Sequence, residues 1–177
     1  MYDRTENTAD LLANRDYERA LRKAFWRKVR SFLGRKCNDL LPVQRVLNNL
    51  PKQEFRTLGL QQVPIERIVG SSGRYHDFDL AFLPLRQEHD GRWQSIARAH
   101  HQGINLPPPL LYQIGDAYFI EDGNHRISVA SASGQEYIEA NVVAIDASTL
   151  KAESSCTRLG YKIADSELKN VTASCSA

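Results

Sequence analysis

Sulfur and paired cysteine are scarce in this chain. There is one methionine, and Cys37, Cys156 and Cys175 are odd in number and widely spaced. That spacing argues against a disulfide framework or a CxxC metal knuckle, and reduced thiols in the cytoplasm are the expectation. No apolar run approaches the roughly 20 residues needed to cross a bilayer, so no membrane partner is expected. The opening Met1-Tyr2-Asp3-Arg4-Thr5-Glu6 lacks the charged-then-apolar order of a secretory leader. No internal repeat is visible.

What the chain does have is charge, unevenly placed. Of 177 residues, 23 are Lys or Arg and 21 are Asp or Glu, for a net charge of +2. Nine of those cations lie between positions 15 and 36 against only Asp16 and Glu18, so that stretch carries +7 and the rest −5. Such asymmetry speaks to partners and not to fold. The length suits one domain with appendages, enough to bury roughly two-thirds of the unfolded surface.

Thr8 is a suitable N-cap for a long helix over 8–33, with Asp10 in its first turn. Leu11, Leu12, Tyr17, Leu21, Phe25, Val29, Phe32 and Leu33 recur at helical spacing and form the expected apolar face. The other faces hold Arg15, Arg19, Arg22, Lys23, Arg27 and Arg30. That basic face fits either the phosphates of DNA or an acidic partner, or else is the solvated side of an amphipathic helix. Gly34 stops the helix. A shorter helix is expected from Asn38 or Asp39 to Leu50, with Pro42 in its first turn.

From Leu60 the pattern changes. Positions 63–69 read as one strand, with Pro64 near an edge or a strand start. Gly70-Ser71-Ser72-Gly73-Arg74 follows, a pliant loop whose Ser71 and Ser72 hydroxyls and Arg74 could reach an anion, or else a plain surface turn. Asp77 and Asp79 flank Phe78, so in extended chain both carboxylates point the same way. They could hold Mg²⁺ beside a nucleotide. Alternatively Asp79 caps the turn over 80–83 while Asp77 pairs with Arg74.

A helix from Arg92 or Trp93 to His101 comes next, with Trp93, Ile96 and Ala97 on one face and the neighbouring His100 and His101 divided between packing and solvent. Pro107-Pro108-Pro109 gives a stiff lead-in. Leu110 to Ile114, Gly115-Asp116, then Ala117 to Glu121 predicts a hairpin closed by a type II′ turn. A small-residue helix after Asp122 ends at Gly134, and 136–146 forms a further strand, central to the sheet by its apolar Val142-Val143-Ala144-Ile145. Beyond Ser148 the chain turns polar, with one short element expected at 159–163.

Between hairpin and helix stands Asp122-Gly123-Asn124-His125-Arg126. In the first turn of a helix several N–H groups lack intrahelical partners. Those donors, the positive end of the dipole and an arginine fork together suit an anion, phosphate above all. The plainer reading is a strand-to-helix turn capped by Asp122 or Asn124, with a surface arginine.

This motif, placed after a strand and before a small-residue helix, resembles that of the ParB/sulfiredoxin-like superfamily. Sulfiredoxins carry Gly-Gly-Cys-His-Arg there, the free serine kinases Asp-Gly-His-Thr-Arg, and many ParB-like proteins Asp-Gly-His-His-Arg. The resemblance spans positions 63–146, about half the chain. It implies an α+β fold: a small mixed β-sheet with flanking helices, preceded here by an N-terminal helical extension. The expected divisions are 1–57 (helical extension), 58–150 (the ParB/sulfiredoxin-like domain) and 151–177 (polar tail). It also implies that Gly123, Asn124, His125 and Arg126 hold a nucleotide phosphate, of ATP or CTP, with Mg²⁺. Asn124 stands where sulfiredoxins have their cysteine, so sulfinic acid repair is not expected. The expected function is a DNA-associated or regulatory module. The alternatives are a small-molecule phosphoryl transferase or a metal-dependent nuclease at the same site, with Asp122 and His125 as catalytic groups.

Overall fold

The computed structural model describes residues 4–34, 38–48, 54–85 and 91–146. The three cysteines, the expected end of the second helix and the element at 159–163 lie outside the described residues. In chain order the elements are α1 (Arg4–Gly34), β1 (Leu41–Pro42), α2 (Val43–Leu47), β2 (Glu54–Pro64), a 3-10 turn (Ile65–Arg67), β3 (Ile68–Ser71), α3 (Gly91–His101), β4 (Leu110–Ile114), β5 (Ala117–Asp122), α4 (Asn124–Ala132) and β6 (Tyr137–Asp146). The fold is α+β. One mixed six-stranded sheet, ordered β1-β3-β5-β4-β6-β2, carries helices on its faces.

The hairpin and the helix after it form where expected. Gly115 takes φ 60 and Asp116 does not follow it into positive φ, as a type II′ turn requires. Gly134, at φ 81, ends α4. β6 runs parallel to β4 on one side and antiparallel to β2 on the other, so it is central as its apolar content indicates. Period-two alternation divides the strand side chains between two cores. On β5, Tyr118 and Ile120 pack on the face covered by α1, α3 and α4, while Ala117 and Phe119 meet α2 and Val69.

Three expectations give way. The strand expected over 63–69 is two strands separated by the 3-10 turn. Pro64 (φ −63) starts that turn, and the chain passes from antiparallel pairing with β6 to parallel pairing of β3 with β5. β2 itself begins at Glu54, and a register shift between Thr57 and Gly59 scrambles its apolar alternation. The helix expected from Asn38 onward is reduced to α2, because Leu41 and Pro42 pair beside Gly70 and Ser71 of β3. A Cβ at Gly70 would collide with the Leu41 carbonyl and lie 2.6 Å from the Phe119 ring, so only glycine lets β1 approach.

The third correction concerns α1. Its packing face is an alanine stripe, Ala9, Ala13, Ala20 and Ala24, with the Tyr17 ring tilted against Trp93 of α3, centroids 5.1 Å apart. Leu11, Phe25, Phe32 and Leu33, four of the eight residues of the expected apolar face, are exposed and take no part in that packing. Small residues win because α1 packs closely on α3, and an indole already fills the space between them. Trp93 donates in turn from Nε1 to Ser128 Oγ of α4 at 2.9 Å, so the three helices are stacked in series.

Asp79 ties this stack to the loop after β3. Its buried carboxylate accepts from the amides of Ala81 and Leu83, each at 2.9 Å, and from Arg27 Nε of α1 at 3.0 Å. The turn so closed holds Phe82, fully buried, at φ 57, a conformation a bulky side chain rarely adopts. Removing the carboxylate would strand two inward amides, whereas the Arg27 pair is partly screened by solvent. Asp79→Ala is expected to lower stability by about 3 kcal/mol in urea unfolding, and Arg27→Ala by well under half of that.

Candidate functional site

β5 runs out at Asp122, and Gly123 turns the chain into α4. Gly123 sits at φ 106, in the left-handed region, and acts as N-cap with no side-chain hydrogen bond. Neither Asp122 nor Asn124 caps the helix, although the sequence offered both. Asn124 is drawn sideways instead. Its Oδ1 accepts from Ser71 Oγ at 2.8 Å, and its Nδ2 reaches toward the Gly73 carbonyl at 3.4 Å. Ser71 Oγ also contacts the carbonyls of Gly73 and Ile120, and Ser72 Oγ donates to the Glu121 carbonyl at 3.2 Å. Because β3 and β5 are parallel neighbours, their two C-terminal loops meet here, which brings Ser71, Ser72 and Gly73 beside the start of α4.

Arg126 folds back over the same corner. Its Nε and Nη2 lie 3.0 Å from where a Gly123 Cβ would be, and Pro109 Cβ lies 2.6 Å from that point. The guanidinium donates to the Asp122 carboxylate and to the Pro107 carbonyl. Asp122 is itself solvent-exposed, while Arg126 is largely covered. Pro107 and Pro109 are the residues of this corner that the motif did not indicate. The three-proline run just before β4 was the available signal, since a stiff segment entering a sheet passes over the end of the neighbouring strand.

The remaining expected residues fall elsewhere. His125 is buried, 5% exposed, with its ring edge-on to Phe78 at 5.5 Å. An imidazole closed off from solvent is poorly placed as a general acid or base toward a phosphate arriving from outside. Arg74 takes φ 55 and pairs with Asp77 at 3.5 Å. Together with the amide contacts of Asp79, this is the capping-and-pairing arrangement, not a shared metal cage. Among the described residues no group of three or more His, Cys, Asp or Glu side chains gathers as metal ligands would. His100 and His101 both lie at the surface, the first beside Gln135 and the second 2.8 Å from Asp16.

On the sheet face turned to α2, where its ring meets Phe55, Tyr112 of β4 has its phenol pushed above the usual tyrosine range, first by burial and second by the Glu121 carboxylate. The chemistry available at the corner is therefore binding chemistry: helix-start amides, serine hydroxyls already engaged in the loop, and one arginine fork.

Compared with protein-family models, with curated proteins and with solved structures, the chain gives no match. Among the described residues no helix is long and apolar enough to cross a membrane.

Gly123→Ala combines a left-handed backbone with a clash against Pro109 and is expected to cost about 2 kcal/mol or more in thermal or urea unfolding. A compensating shift of Arg126 would be visible as altered hydrogen exchange in the first turn of α4. For Tyr112, the unfolded phenol ionises near its ordinary value while the folded one still holds its proton. Stability therefore falls as pH rises past about 10. Glu121→Gln should lower the Tyr112 midpoint in a tyrosinate absorbance titration but leave it above the ordinary value, because burial is the larger cause.

Proposed function

We propose that the Gly123–Arg126 corner holds a phosphate of a nucleotide, ATP or CTP, or of a nucleic acid, and that the chain is a ParB-like regulatory module. The observation that carries this reading is the pairing of two features: a helix start with no side-chain cap, and an arginine folded back onto it. Either alone is ordinary. Together they bring a helix start and a charged fork to one residue, Gly123, and an anion bound there would gain from both.

In the ligand-free protein, Asp122 stands in for that anion on Arg126. A carboxylate on an exposed side chain is a weak competitor, because surface ion pairs contribute little. A phosphoryl group carries more charge and more acceptor oxygens, and it would take the Arg126 fork while Asp122 swings into water. Binding without turnover is favoured over catalysis by the burial of His125 and by the engagement of Asp77 and Asp79 within their own loop. Mg²⁺ would then arrive on the nucleotide instead of resting in a protein cage, as is usual for this ion.

The test is a thermal-shift titration with ATP, CTP and a short DNA duplex, each with and without Mg²⁺. A ligand at 100 times its Kd should add about 2.7 kcal/mol to the native state. The shift should vanish in Arg126→Ala and grow in Asp122→Asn, which removes the resident competitor. Absence of any shift from nucleotides and DNA alike, in wild type and Asp122→Asn, would sink the proposal.

A further inference from the structure

The outer face of α1 has no partner among the described residues, yet it is built from large apolar groups. Phe25 is 60% exposed, Trp26 65%, Phe32 84% and Leu33 78%, with Val29 half-buried between them. Positions 22, 25, 26, 29, 32 and 33 share one side of the helix, opposite the alanine stripe that meets α3. The small residues are inside and the large ones outside, the reverse of what a helix serving only its own core would show. The Phe25 and Trp26 rings contact each other edge-on, with centroids 5.6 Å apart.

The charges flanking this strip are positive, and Arg22 within it pairs back to Glu18 at 3.7 Å. From Ala20 to Gly34 there are five cations, Arg22, Lys23, Arg27, Lys28 and Arg30, and no carboxylate. Arg27 turns inward to Asp79. Lys23 and Arg30 border the apolar strip on one side and Lys28 on the other, and all three are exposed, as is Arg22 within the strip.

We propose that this face of α1 docks onto an anionic lipid surface, lying in the plane of the interface. Three features select that occupant. A flat surface needs only one side of the helix, and only one side is available because α3 holds the other. Apolar and aromatic side chains at the centre enter the acyl boundary, while flanking lysines and arginines extend their stems and keep their charges among the headgroups. Positive flanks complement acidic lipid, whereas a second copy of the same face would bring like charges together. The phosphates of DNA would engage the cations but leave two phenylalanines, a tryptophan and a leucine against water or charge.

The experiment is flotation of the full-length protein with vesicles of phosphatidylcholine alone or with 30% phosphatidylglycerol, in about 0.1 M salt, alongside Trp26 emission. Trp93 is buried and serves as an internal constant. Wild type should float with the anionic vesicles at least tenfold more than with the neutral ones, with a blue shift that Trp26→Tyr removes. Phe32→Ser with Leu33→Ser, both at highly exposed positions where folding is not at risk, should lose at least tenfold, and Lys23→Glu with Lys28→Glu should lose similarly. The proposal is overturned by failure of wild type to float. It is equally overturned if the Phe32/Leu33 variant floats as well as wild type, which would make the attraction purely electrostatic. A wild-type dimer in solution that Phe32→Glu converts to monomer would assign the face to a second copy instead.

Discussion

The left-handed backbone at Gly123 is the constraint on which this end of the molecule depends. It directs α4 off the end of β5 at an angle that leaves the first turn uncapped. It also leaves a gap at its missing side chain into which Arg126 and Pro109 both press. Any other residue there would have to relax the backbone or move the arginine, and either change separates the helix amides from the guanidinium. The neighbouring strand enforces the same geometry. Ser71 at the end of β3 bonds to Asn124, so the first residue of α4 is held by β3 as well as by its own strand.

That parallel arrangement rests on a second close approach. β3 can sit between β1 and β5 only because Gly70 admits the Leu41 carbonyl on one side and the Phe119 ring on the other. The two glycines thus act at opposite ends of one short strand pair: Gly70 lets the strands come together, and Gly123 lets the chain leave. Polar side chains then lock the result. Ser71 and Ser72 are consumed by carbonyls of Gly73, Ile120 and Glu121, which fixes the loop beside the helix start. A site whose loop is already ordered loses less entropy on binding.

Much of this was legible in the residues, and what was not has identifiable causes. Gly115 and Gly134 mark turns whose chemistry is local, so hairpin and helix end could be placed from sequence. β6 declared itself through a continuous apolar run. β2 did not, because a bulge at Thr57 to Gly59 breaks its period and, among the described residues, it is an edge strand. The packing side of α1 was not legible for a different reason: periodicity reports that a helix has a greasy side without saying which side meets the protein. Alanines carry little weight in such a pattern, yet they are what close helix packing selects. At the corner, the motif located the arginine and the helix start. It could not reveal that His125 points into the core against Phe78, since neighbouring positions on a helix diverge by about 100° and only the tertiary fold decides which is inward.

The orientation of α1 about its own axis is therefore set by few contacts, and those contacts are polar as much as apolar. Alanines alone would permit rotation, because a smooth stripe offers no register. Tyr17 against Trp93 fixes the middle, the Asp16–His101 pair fixes the edge facing the end of α3, and Arg27 on Asp79 fixes the C-terminal half. The last is the most decisive. Asp79 is buried and already bound to two amides of its own loop, so it cannot follow the helix if the helix turns. With Arg27 held there, positions 25, 26, 29, 32 and 33 have no way to rotate inward. The Arg27–Asp79 pair, modest as a stability term, thus sets which side of α1 faces the protein, and the apolar strip lies on the opposite side.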